Sequence, residues 1–198
     1  VFICFAAEDR YEIVEPIVYH LKNYGIPVWY DRYTLLMGDN RVQKNLYDGA
    51  QTCKYAIIIV SKNTQLSKCA MEEISIVREN NKEHKVTVFP ILYDISPDNL
   101  TGELIWIKKL IFKECNKNSG TYEICNHIAC KITDDILSNV QSILTTGMNS
   151  FESAQSTMMT SLNSSLNVVV ESRKELSGQE DEDTESDDSD DDLTVDLL

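Results

Sequence analysis

Basic clusters are missing from this 198-residue chain, and its last twenty positions contain no base at all. Those residues, 179–198, hold eleven acids, so the net charge of −14 sits mainly in a tail. Residues 1–178 carry only about −3, an ordinary globular balance. Without a basic patch there is little to neutralise phosphates, so no nucleic-acid partner is expected. No stretch approaches the roughly 18 apolar residues of a membrane span, and no leader peptide is visible. The expectation is a cytoplasmic protein with no membrane partner. The six cysteines form no C-x-x-C pair. Cys115, Cys125, His127 and Cys130 match no standard zinc spacing, so no metal is expected and the thiols are expected to be reduced.

What is present is an alternation of apolar runs and helical patterns. Val1 to Phe5 is a short run that stops at Ala6, Ala7 and the charged Glu8, Asp9 and Arg10, which suits a strand buried on both faces. Residues 11–24 carry Ile13, Ile17, Val18 and Leu21 at helical spacing, and Gly25 stands where a C-terminal cap belongs. Residues 26–30 read as a second strand, 31–40 as a loop and 41–51 as a helix. The unbroken β-branched run at 55–60 reads as the central strand. A loop over 61–67, a helix over 68–80, a strand over 86–92 with Pro90 near its exit, and a short fifth strand over 105–112 follow. A helix over 122–144 carries Ile124, Ile128, Ile132, Ile136, Val140 and Ile143 on one stripe. This order predicts a mostly parallel sheet of four to five strands with helices on both faces.

Beyond 144 the composition changes. Residues 145–176 read as a Ser/Thr-rich linker or weak helix, with Met158, Leu162, Leu166, Val169 and Leu176 near heptad spacing. Residues 177–198 read as a disordered acidic tail, because like charges repel and little apolar surface offsets the ordering entropy.

Several segments together resemble a known family. Val1-Phe-Ile-Cys-Phe5 with Glu8-Asp9-Arg10 is similar to the first sequence box of Toll/interleukin-1 receptor (TIR) domains of the bacterial type. Gly25-Ile-Pro-Val-Trp-Tyr-Asp31 with Leu35, Gly38 and Asp39 resembles the family's second strand and long BB loop. Lys54 to Ser61, with Ser67 and Glu73-Ile74, resembles its third strand and glutamate-bearing helix. The resemblance covers residues 1–144 and implies a flavodoxin-like α/β three-layer sandwich. It also implies one of two functions: cleavage or cyclisation of NAD at the nicotinamide–ribose bond, or signalling by homotypic assembly with other TIR domains. NAD is then a substrate, and no separate cofactor is expected. The setting implied is defence or innate immune signalling.

Breaking that bond passes through an oxocarbenium-like state, and nicotinamide leaves neutral from a cationic pyridinium, so no general acid is needed. One carboxylate near the ribose is chemically adequate. Of the adjacent Glu72 and Glu73, the family's spacing from Ser61 and Ser67 selects Glu73. Helix geometry agrees: Ala70, Ile74 and Val77 define a buried stripe, and Glu73 lies about 65° from its centre while Glu72 points away. Glu73 is the catalytic candidate; a boundary residue paired with Arg78 or Lys68 is the alternative. The resemblance adds Phe5, Ala6, Ala7, Arg32, Leu36 and Gly38 as substrate-binding candidates. Ala6 and Ala7 stand where active members often carry basic or polar residues, and Cys69-Ala70 stands where the family often has Trp-Cys. Small residues at 6 and 7 also suit tight strand-to-helix packing. A receiver-like domain is a further alternative, given the Glu8-Asp9 pair, but Ser61 stands where such a domain would place an acid.

Overall fold

The computed structural model describes residues 1–177, with side chains described to residue 171. Apart from Ser177, which ends the last helix, the acidic tail expected over 177–198 lies outside the described residues.

Four parallel strands form one sheet: β1 Phe2–Cys4, β2 Tyr55–Val60, β3 Thr87–Tyr93 and β4 Lys113–Cys115, paired in that order. β2 is buried at every position, as its β-branched run requires, and it holds β1 on one side and β3 on the other. Alternate residues feed two cores. Ile57 and Ile59 face a cluster with Ile13, Ile17, Leu21, Ile124 and Ile128. Ala56, Ile58 and Val60 face a second with Ile74, Val77, Leu104 and Ile107. The sheet therefore lies between α1 Glu15–Asn23 with the start of α4 on one face, and α3 Lys68–Lys82 on the other. This is the flavodoxin-like three-layer arrangement.

The expected second strand is reduced to one bridge between Phe2 and Trp29, backed by the Trp29 amide on the Val1 carbonyl at 2.7 Å. Pro27 has no N–H to donate, which limits that segment to an edge contact. Asp31–Thr34, expected as loop, closes one helical turn, α2. The helix expected at 41–51 is present as the π-wound helix Val42–Ala50.

The strand expected at 105–112 is not there. Gly102–Lys109 winds as a 3-10 helix, and β4 starts at Lys113. Leu104, Ile107 and Leu110 recur every third residue, so one edge of the turn packs inward while Ile105 stays exposed. Pro90 is accommodated because β4 begins its pairing at Ile91, one residue later.

α1 ends in a Schellman motif, with the Ile26 amide on the Leu21 carbonyl and Gly25 at φ +73°. α4 spans Tyr122–Ser177, continuing well past the expected end at 144. Its expected stripe is covered only in part: Ile124, Ile128 and Ile132 are buried, whereas Ile136, Val140 and Ile143 are exposed. The chain divides into two units after Leu137, the second comprising the rest of α4 and the residues beyond it. In that second unit every described side chain from 138 to 171 is exposed.

Candidate active site

In an open parallel sheet the loops at the strand C-termini form the crevice. Here they enclose a cleft of about 340 Å³. Phe5, Ala7 and Arg10 come from the segment after β1. Trp29, Asp31, Leu35, Arg41 and Asn45 come from the segment leading into the π-wound helix. Asn63, Leu66 and Ser67 follow β2, and Cys69 and Glu73 project from α3.

Two clamps set this geometry. Asp9, 2 % exposed, accepts hydrogen bonds from Ser61 Oγ at 2.5 Å and Asn63 Nδ2 at 2.7 Å, tying the first loop to the third. Arg10 holds Asp31 through two parallel bonds of 2.6 and 2.7 Å while its guanidinium lies 5.0 Å from the Phe5 ring centre. That fork fixes the start of the 31–40 segment against β1.

Glu73 is placed by α3. The Ser67 side chain caps the helix by accepting from the Ala70 amide, and the first turns then bury Ala70, Glu73 and Ile74. Glu73 is 6 % exposed yet lines the cleft. Burial pushes its carboxyl up to about 8; Arg41 pulls the other way, Asp31 and Glu72 push with burial, and a hydrogen bond from Asn45 Nδ2 pulls it back. Asn45 in turn accepts from Trp29 Nε1 at 3.4 Å. Glu72 is half-exposed and bonded to Arg41 at 2.9 Å. Arg78 is engaged by Glu103, so it does not serve Glu73.

Of the residues singled out by sequence, Phe5, Ala7 and Glu73 meet around the cleft. Four others do not line it. Ala6 is fully buried, at the cap of the 3-10 turn Ala7–Asp9 that follows β1. Arg32 turns away to Glu15 at 2.6 Å. Leu36 and Gly38 sit in the exposed turn beyond α2, and Leu35 is the apolar residue of that segment that reaches the cleft. Sequence reasoning missed Asn45 and Arg41. They are four residues apart at the start of one helical pattern, a spacing that puts two polar side chains on the same face. Among the described residues no three His, Cys, Asp or Glu side chains converge as metal ligands, and no helix is long and apolar enough to cross a membrane.

The sequence profile described as "TIR domain" matches residues 1–119. Over 100 residues the chain is 29% identical to "NAD(+) hydrolase TcpA" of Theionarchaea archaeon (strain DG-70-1), covering 50% of this chain and 30% of that protein. It is 34% identical over 101 residues to "2' cyclic ADP-D-ribose synthase BtTIR" of Bacteroides thetaiotaomicron, covering 50% and 34%. It is 32% identical over 101 residues to "2' cyclic ADP-D-ribose synthase AbTIR" of Acinetobacter baumannii (strain 1295743), covering 50% and 36%. The matched region spans about a third of the length of these relatives. With the four-stranded parallel sheet and the ordered boxes around its C-terminal edge, the match over residues 1–119 means that the chain belongs to the TIR domain family.

Proposed function

We propose that the cleft binds NAD and that Glu73 promotes breakage of its nicotinamide–ribose bond, the output of a cytoplasmic defence or immune signalling protein. The bonding electrons leave with the nicotinamide nitrogen, which becomes neutral, and the ribose C1′ becomes cationic. Water then adds at C1′ and releases a proton to give linear ADP-ribose, or a hydroxyl of the same molecule adds there, likewise losing its proton, and closes a ring. The observation that carries the reading is a buried carboxyl, Glu73, lining a cleft that an aromatic ring, Phe5, also lines. The names of the relatives support it. The volume, about 340 Å³, is at the low end for ligand sites and suits the nicotinamide riboside half of the molecule.

The raised carboxyl has a consequence for the chemistry. With a value of about 8, Glu73 is mostly protonated at pH 7. A pyridinium brought beside it favours the charged form, so the substrate itself ionises the group that assists its cleavage. Asn45 holds one carboxyl oxygen throughout. Phe5, which lines the cleft, offers a flat aromatic surface for the nicotinamide ring. The test is incubation of concentrated protein with NAD while nicotinamide release is followed. Release by the wild type and its loss in Glu73→Ala is the expected pair of results; equal release by both would remove Glu73 from the mechanism.

A second reading rests on a different observation. Tyr33, Leu36 and Met37, in the 31–40 segment, are large apolar side chains exposed to solvent outside the cleft. They suit homotypic contact with another TIR domain, in which the protein acts as a scaffold. Assembly that survives Leu36→Asp with Met37→Asp would exclude that segment as the contact.

A further inference from the structure

The second unit poses a physical problem. From Ser138 to Val170 the helix is made largely of Ser, Thr, Asn and Val, all poor helix formers, and Glu152 is its single charged residue. Isolated helices of such composition are marginal in water, and helices in proteins owe most of their stability to packing of an apolar face. Yet every side chain here is exposed.

Eight of the twelve large apolar residues exposed between 138 and 170 are ordered, while Ile143, Met159, Val168 and Val170 lie outside their stripe. At about 100° per residue, Val140, Leu144, Met148, Phe151, Met158, Leu162, Leu166 and Val169 all fall within a stripe about 80° wide. That is narrower than the face of a core-packed helix and matches a helix–helix seam. Gln155 occupies the one seam position without an apolar side chain. The seam is also nearly palindromic about Gln155. Phe151 and Met158 lie on either side of it, then Met148 and Leu162, then Leu144 and Leu166, then Val140 and Val169.

We propose that α4 pairs with α4 of a second copy of this chain, antiparallel, about a two-fold axis passing beside Gln155. A two-fold interface must be self-complementary, and a palindromic seam read in the opposite direction meets itself. Phe151 then packs against Met158 of the other copy and Leu144 against Leu166, while the two Gln155 side chains meet at the axis and set the register, as a lone polar seam residue does. Charge selects the direction. A parallel pair would bring two eleven-acid segments, residues 179–198, together at one end; an antiparallel pair separates them by the length of the seam. The same acids, and the lack of any Lys or Arg from 138 to 171, disfavour an anionic membrane as the occupant. A seam of about 30 residues is about 45 Å long, and at one helix diameter wide, 10–12 Å, the two strips total about 1,000 Å². That is the lower bound for a specific interface, so the dimer is expected to be concentration dependent.

The experiment uses the full chain in analytical ultracentrifugation over a hundredfold range of concentration. A monomer–dimer equilibrium is expected, shifted to monomer at least tenfold by Leu144→Asp or Leu162→Asp. Monomer throughout, or a dimer unaffected by both substitutions, overturns the proposal. Direction is read by cross-linking in a Cys69→Ser, Cys130→Ser background. Phe151→Cys mixed with Met158→Cys should give a disulfide-linked heterodimer, whereas Phe151→Cys alone should not cross-link. Efficient self-linkage of Phe151→Cys would make the pair parallel and overturn the antiparallel assignment. So would recovery of the chain as monomer on neutral phosphatidylcholine vesicles, with helicity gained only there.

Discussion

Asn45 and Glu73, 28 residues apart in sequence, meet inside the cleft through a hydrogen bond from the Asn45 amide to the Glu73 carboxyl. The contact joins the π-wound helix to α3 and gives a buried acid its one direct hydrogen-bond donor among the described side chains. It also favours the ionised form of Glu73. Asn45→Ala removes that support and leaves the carboxyl more reluctant to ionise. The expected result is a loss of NAD cleavage at pH 7 that is partly recovered at pH 9, with about 1–3 kcal/mol lost in urea unfolding. Undiminished activity at pH 7 would show that Glu73 needs no help from this amide.

The charges around Glu73 make the pH profile a test of its role. In the proposed mechanism cleavage requires the ionised form, so kcat/KM should rise with pH through a midpoint of about 8, the value of the free protein. Arg41 lowers that value and Asp31 raises it. Arg41→Gln should therefore move the midpoint up and Asp31→Asn should move it down. Shifts in the same direction for both variants, or none for either, would assign the limb to another group.

The same burial carries a stability cost. Glu73 in the unfolded chain loses its proton near the ordinary 4.5, but in the folded protein only near 8. Between those values the folded state binds more protons, so stability contributed through this group is complete below about pH 4.5 and falls as pH rises towards 8. The gap corresponds to a ceiling of about 5 kcal/mol. Glu73→Gln keeps the shape and the acceptor for Asn45 but never ionises. It should match the wild type below pH 4 and melt several degrees higher at pH 8.5, at about 2–4 °C per kcal/mol for a chain of this size. A Tm difference that does not change with pH would mean that the carboxyl is not buried in solution.

How much of this could be read from sequence varied with the physics involved. The β2 strand was legible because an unbroken β-branched run has few alternatives, and the facing of Glu73 followed from helix periodicity alone. The segment 105–112 was misread because Leu104, Ile107 and Leu110 repeat every three residues, and a period of three among bulky apolar residues looks like a strand when the polar spacing is weak. The segment 26–30 also read as a strand, but Pro27 removed a donor that a full strand needs. Arg41 and Asn45 were missed because their relevance depends on tertiary packing of one helix against another. The long loop misled in a finer way: Leu36 and Gly38 were carried over by resemblance, while Leu35, one residue earlier, points into the cleft.

Gly49 offers a test of that packing remote from the carboxyl itself. A Cβ at this position would stand 2.7 Å from Phe2 Cε2 and 2.9 Å from Trp29 Nε1. Helix propensity alone predicts that Gly49→Ala would stabilise the π-wound helix by about 1 kcal/mol. The contacts predict the opposite, because Phe2 is fully buried and the Trp29 indole donates to Asn45, so both must shift to admit a methyl group. Overpacking of this kind costs about 1–3 kcal/mol. The variant should melt several degrees lower and show altered Trp fluorescence. Its NAD cleavage should fall with Asn45 no longer seated against Glu73. A rise in Tm would mean that the sheet edge has room that these distances deny it.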